Sequence, residues 1–163
     1  MNAIVAVDRN WAIGFRGDLL CHSPGDLKYF KEKKKGKIVL MGRTTFESLP
    51  GRKPLSDRIN IILSRNPAFH APCLVCHTVN ALDRELAHHA PDDVFVIGGA
   101  SIYRKFLKFC DKVYVTKIDT VFEADCHFPN LDEDPDFELV WTSDEYEESG
   151  IKYRFTEYRR KNW

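Results

Sequence analysis

The sequence predicts an α/β fold in which a mainly parallel sheet is flanked by helices. Three observations point there. Short runs rich in β-branched residues alternate with helix-like stretches along most of the chain. Several of those runs are almost continuously apolar, as strands covered on both faces are. The tail breaks the alternation: FELVWTSDEYEESGIKYRFTEYR reads as two strands around a Glu-Ser-Gly turn, an antiparallel hairpin at the sheet edge.

The elements follow in order. AIVAV (3–7) is an apolar strand ended by Asp8 and Arg9. A helix over 24–35 is signalled at its start by Ser23-Pro24-Gly25-Asp26, with Ser as N-cap, Pro at the first helical position and an acid in the first turn. Lysines crowd its last turn and Gly36 offers a left-handed stop. KIVLM (37–41) is a buried strand running into a helix at 44–50, and INIIL (59–63) and PCLVCHT (72–78) are further strands. A helix at 80–89 leads to the strand DVFVIG (93–98), a helix at 100–109 and the strand KVYVTKI (112–118).

At 163 residues, the chain is expected to form a single domain over 1–163. Hydrophobic residues at 44% and aromatics at 12% are those of an ordinary globular protein. The 24 basic residues equal the 24 acidic ones, which disfavours a nucleic-acid partner and favours a small ligand. The opening apolar run is too short for a signal-peptide core, and nothing approaches the ~20 apolar residues of a membrane span. A cytoplasmic protein with no membrane partner is therefore expected. Its 5 cysteines, an odd number, fit a reducing compartment.

Cys73-Leu74-Val75-Cys76-His77 matches the C-x-x-C-H pattern of haem attachment and part of a zinc motif. No second closely spaced pair accompanies it, since Cys110 and Cys126 lie far apart, and it reads as part of a strand. No metal site is expected. The basic run KYFKEKKKGK (28–37) reads as a solvated helix end. The adjacent Cys21 and His22 raise the idea of a nucleophile pair, but neighbours in sequence rarely aim at each other.

Asp26 has two readings. It fits a capping carboxylate, and it also lies within helical reach of Leu27 and Phe30. If those two face a cleft, desolvation would raise its pKa into the range of a proton-exchanging group. The residues leave both readings open. Three strand-end loops suit phosphates: Met41-Gly42-Arg43-Thr44-Thr45, Ile97-Gly98-Gly99-Ala100-Ser101 and Ser64-Arg65. None is a dinucleotide or Walker signature, but together they suggest a nucleotide with more than one phosphate.

Seven segments resemble the dihydrofolate reductase family, in its order and spacing: IVAVDRNWAIG, SPGDLKYFK, KIVLMGRTTFESL, LSDRINIILSR, VFVIGGASIYRKFL, VYVTKID and DCHFP. The resemblance, to the bacterial chromosomal type, implies an eight-stranded, mostly parallel sheet with an antiparallel C-terminal hairpin and four flanking helices. It implies reduction of 7,8-dihydrofolate to tetrahydrofolate by NADPH for one-carbon metabolism, in a monomer that also takes antifolate-type inhibitors.

It further implies site residues. Asp26 would be the single active-site carboxylate, bonding the pterin N3 and 2-amino group and aiding protonation of N5 through water. Thr116 would share that network, with Leu19 and Tyr103 completing the catalytic set. Ile4, Val5, Leu27, Phe30, Leu49, Leu55 and Ile97 would join them around the substrate, and Arg58 would grip the glutamate α-carboxylate. Ala6, Ile13 and Leu19 would face the nicotinamide, beneath a mobile loop at 9–23. Arg43, Thr44, Ser64 and Arg65 would hold the adenosine and its 2′-phosphate, favouring NADPH over NADH, with Gly42, Thr45 and Leu63 also binding the cofactor and His77 at a cofactor position often basic in the family. Gly98 and Gly99 would form a cis peptide beside the pyrophosphate, with Ile97, Ala100, Ser101, Ile102 and Tyr103 alongside.

The chain departs from the family at Cys21, where tryptophan is usual, at Leu20 for proline and at Ser23 for leucine. Ser101 stands where some members have arginine. The rival readings are a related reductase of riboflavin synthesis, which would not need Asp26, Arg58 and Thr116 together, and a non-catalytic nucleotide-binding module.

Overall fold

Ile38–Gly42 reads IVLMG, and every residue in it is buried. Its side chains alternate between two clusters: Ile38 and Leu40 join one, Val39 and Met41 the other. Ile61 and Ile62 of the next strand divide the same way. A strand whose successive residues enter opposite cores must lie inside a sheet covered on both faces, which is what the unbroken apolar runs require.

The structure is a computed structural model that describes residues 1–15, 18–19, 32 and 36–161. Its elements are β1 (Asn2–Val7), β2 (Ala12–Phe15), β3 (Asp18–Leu19), β4 (Ile38–Gly42), α1 (Arg43–Ser48), β5 (Ile59–Leu63), β6 (Leu74–Cys76), α2 (Val79–Leu86), β7 (Val94–Val96), α3 (Ala100–Phe106), β8 (Lys112–Ile118), β9 (Cys126–His127), β10 (Phe137–Thr142), β11 (Tyr146–Glu148) and β12 (Ile151–Arg160). The helix expected over 24–35 lies outside the described residues, apart from Glu32, so three α-helices are described.

The main sheet runs β10-β12-β8-β1-β7-β4-β5-β6, with β11 paired to β12. From β8 to β6 every neighbouring pair is parallel. Only β12 turns the direction, antiparallel to both β8 and β10. The tail hairpin is as expected in kind but sits differently: β12 lies one strand in, and β10 forms the edge. Ser149 and Gly150 take φ 51 and φ 80, the two left-handed positions of a two-residue turn that pairs Glu148 with Ile151.

A second, three-stranded sheet in the order β3-β2-β9 was not expected. Two of its strands are two residues long, too short for any periodicity to announce them. Thr78 caps α2, its side chain accepting from the Ala81 N–H. No helix among the described residues is long and apolar enough to cross a membrane.

The cleft at the strand carboxyl ends

In an open parallel sheet, ligands gather outside the carboxyl ends of the strands. A cleft of ≈ 1230 Å³ lies there, lined from Ile4–Ala6 of β1, Gly42 of β4, Leu63 of β5 and the Ile97–Gly99 turn after β7. Single small-molecule sites occupy roughly 300–1,000 Å³, so this cleft has room for two ligands.

One end is built by two interlocked turns. The Gly42 N–H donates to the Gly98 carbonyl at 2.9 Å. A Cβ on Gly42 would stand 3.0 Å from Ile102 Cγ1, and one on Gly98 would stand 3.2 Å from Thr45 Oγ1. Gly98 also holds φ +122, which L side chains rarely adopt. These two glycines therefore serve turn-to-turn contact, and Gly99, whose Cβ would meet nothing closer than 3.6 Å, leaves the open space. The Gly98–Gly99 peptide is cis. Thr44, Thr45, Ala100, Ser101 and Ile102 line this end.

The neighbouring β5–β6 turn carries Ser64, Arg65 and His77. Ser64 is buried, and its carbonyl meets the His77 ring Nδ1 at 2.9 Å, which aims the ring. Arg43 is bound to Glu47 at 3.1 Å and lies 5.9 Å from the centre of the Phe69 ring. Among the described lining residues five are cationic, Arg43, Arg58, Arg65, Arg104 and Lys105, against one carboxylate, Asp8. The balanced charge of the whole chain hides this local excess, which favours anionic ligands. Sequence reading missed Arg104 and Lys105; their spacing after the Gly-Gly turn, three and four residues from Ser101, was the available signal.

The other end is apolar, with Ile4, Val5, Leu49, Leu55, Ile97 and Ile118. Arg58 stands at this end, its Nη1 donating to the Ser56 carbonyl. Burial lowers its pKa from the ordinary guanidinium value and Asp57 pushes it back. Asn60 positions this loop: its Oδ1 accepts from the Leu55 N–H at 2.9 Å, while its Nδ2 donates to the Leu55 carbonyl at 2.9 Å and the Arg58 carbonyl at 3.2 Å. A polar residue inside INIIL was the sign, and it passed unread.

Tyr103 lines the cleft, but its hydroxyl donates to the Ile4 carbonyl at 2.7 Å. Burial raises its pKa far above the ordinary phenol value. It fastens α3 to β1. Thr116 is fully buried, paired in register with Ala6, and its Oγ1 has no hydrogen-bond partner among the described residues. Ala6, Ile13 and Leu63 line the cleft. Asp26, Leu27 and Phe30 lie outside the described residues, as do Leu20, Cys21, His22 and Ser23. Leu19 is described only as part of β3.

Cys73 and Cys76 join different cores, Cys73 beside Val39 and Met41 and Cys76 with Leu63 and Leu82. Cys73 lies just before β6 and Cys76 at its end, and the two side chains point into different cores rather than toward one another. Among the described residues no cluster could hold a metal ion.

Fold and cleft together define a class: open α/β proteins that bring two small ligands together where parallel strands end. Comparison with known proteins narrows it. The pattern described as "Dihydrofolate reductase" matches residues 1–160. The dihydrofolate reductase of Bacillus subtilis is 39% identical over 163 residues, covering 98% of this chain and 94% of that protein. That of Rattus norvegicus is 37% identical over 187 residues, covering 99% and 98%. A solved dihydrofolate reductase from Enterococcus faecalis, complexed with NADP(H) and RAB-propyl, superposes with a TM-score of 0.84 at 35% identity, covering 99% of this chain and 96% of that one. The chain belongs to the dihydrofolate reductase family.

Proposed function

We propose that this cleft carries out the NADPH-dependent reduction of 7,8-dihydrofolate to tetrahydrofolate with the residues named here, as one domain over 1–163. The observation that carries the reading is a single cleft whose two ends differ in chemistry: a basic end of interlocked strand-end turns, and an apolar end guarded by Arg58. NADPH fits the first and a flat heterocycle with a carboxylate tail fits the second.

Bound NADPH supplies the hydride that reaches C6 of the substrate. Arg43, Ser64, Arg65 and His77 hold the adenosine and 2′-phosphate, and Gly99 lets backbone approach the pyrophosphate. Ala6 and Ile13 face the nicotinamide. Leu49 and Leu55 enclose the substrate with Leu27 and Phe30, and Arg58 grips the glutamate carboxylate as a bidentate fork, its loop fixed by Asn60. The Thr116 hydroxyl, without a partner among the described residues, would accept from the pterin amino group and donate to Asp26; a buried hydroxyl left alone is costly. Asp26 supplies the charge that orients the pterin and aids delivery of a proton to N5.

The reading extends to a cytoplasmic monomer with no nucleic-acid partner, in which folate-like antifolates compete at the Arg58 end. The four cysteines among the described residues are free, which is compatible with a reducing compartment. The test is consumption of NADPH by the purified chain on addition of dihydrofolate, with NADH in parallel. Turnover with a marked preference for NADPH is expected. No turnover, or equal use of NADH, would overturn the assignment of the basic end.

A further inference from the structure

Asp8 directly follows β1 and has no role in the reading above. It is 3% exposed and is the one carboxylate among the described residues lining the cleft. Its two oxygens take three backbone N–H groups from two separate segments. Oδ1 accepts from Asn10 at 2.8 Å and Ala12 at 2.9 Å; Oδ2 accepts from Phe122 at 2.9 Å. The first two belong to the β1–β2 corner and the third to the segment between β8 and β9. One buried side chain thus bonds both.

The corner is otherwise awkward to hold. Trp11 sits at φ 60, a conformation L residues rarely take, and its ring stacks on Phe128 at 6.2 Å. Directly after it, Ala12, Ile13 and Gly14 line the cleft, and Gly14 pairs with Cys126 of β9. The carboxylate therefore sets where this wall stands relative to Ala6. A carboxylate is needed chemically: all three partners are donors, and an amide in its place would turn an N–H toward one of them.

We propose that Asp8 is a positioning residue, whose carboxylate holds Ala12–Gly14 where the nicotinamide packs. The proposal rests on the reading that Ala6 and Ile13 face the nicotinamide. The test compares affinity for NADPH with affinity for 2′-phospho-ADP-ribose, which lacks that ring, in the wild type, Asp8→Asn and Ile13→Ala. Asp8→Asn is expected to weaken NADPH about tenfold, as loss of a charge-assisted bond does, and to change the fragment by less than about twofold. General loosening of the fold would weaken both alike, and that result overturns the proposal. If Ile13→Ala lowers the NADPH-to-fragment ratio while Asp8→Asn does not, Asp8 has no such role and the nicotinamide reading survives. If neither variant moves the ratio, the nicotinamide reading itself fails and takes the proposal with it. Should Asp8→Asn not fold, amide exchange in the unmodified protein decides. The Asn10, Ala12 and Phe122 amides should slow together with NADPH but not with the fragment, and no slowing would overturn the proposal.

Discussion

Thr116 is the residue whose chemistry is least explained by the fold alone. Its side chain is fully buried on β8, with an Oγ1 that no described residue satisfies. Removing such a group usually stabilises a protein, because an unmet buried hydroxyl costs about 1–3 kcal/mol. Thr116→Val should therefore raise the urea midpoint while lowering kcat/KM for dihydrofolate about tenfold, since a lost substrate hydrogen bond of ~1.4 kcal/mol gives that factor. Opposite signs in unfolding and in steady-state kinetics are the expected result. A fall in both would mark Thr116 as a purely structural residue. Asp8 and Asn60 show the converse: polar groups wholly engaged by backbone, which place neighbours without offering a free atom to a ligand.

At the scale of elements, the two glycine turns decide the shape of the cofactor end. Gly98→Ala places a Cβ 3.2 Å from Thr45 Oγ1 and 3.4 Å from the Tyr103 ring, on a backbone at φ +122. A loss of about 1–3 kcal/mol in unfolding free energy is expected, with weaker NADPH binding, measured by thermal unfolding with and without cofactor. An unchanged midpoint would mean that the turns are not interlocked. The parallel strands β1, β4, β5 and β8 were legible because residues facing both cores leave a nearly continuous apolar run, which IVLMG displays and INIIL interrupts only at Asn60. PCLVCHT was read as a strand over 72–78, but only Leu74–Cys76 pairs, because β6 is a sheet edge and Leu74 is exposed. The β2–β3–β9 sheet was invisible, since β3 and β9 are two residues long and the β2–β9 pairing joins residues more than a hundred positions apart in sequence. Candidate residues were legible mainly through the family resemblance. Spacing alone pointed to the three phosphate-friendly turns and left Asp26 undecided, while Asp8, Arg104 and Lys105 required three-dimensional placement.

At the scale of the molecule, a formal net charge of +0 coexists with a cleft in which cations outnumber carboxylates five to one among the described lining residues. Charge is distributed for a ligand, and net charge could not reveal it. The core carries its own pH signature. Burial pushes the Cys110 thiol from an ordinary value of 9.0 up to about 12, and burial also raises Tyr103 and Tyr158. Above pH 9 the unfolded chain gives up the Cys110 proton while the folded chain keeps it, so the folded state binds more protons and stability falls as pH rises. One such group contributes about 1.4 kcal/mol per pH unit between the two values. Urea midpoints at pH 8, 9 and 10 should decline, and Cys110→Ala should flatten the decline between the last two; an identical slope would assign it elsewhere. The central claim is that a single carboxylate at Asp26 and a basic cleft together reduce dihydrofolate, and single-turnover hydride transfer tests it most directly. With NADPH bound beforehand, Asp26→Asn should transfer hydride to dihydrofolate at least about a hundredfold more slowly than the wild type at neutral pH, as loss of a general acid–base group implies. NADPH affinity should be unchanged. Equal rates in the two proteins would contradict the claim.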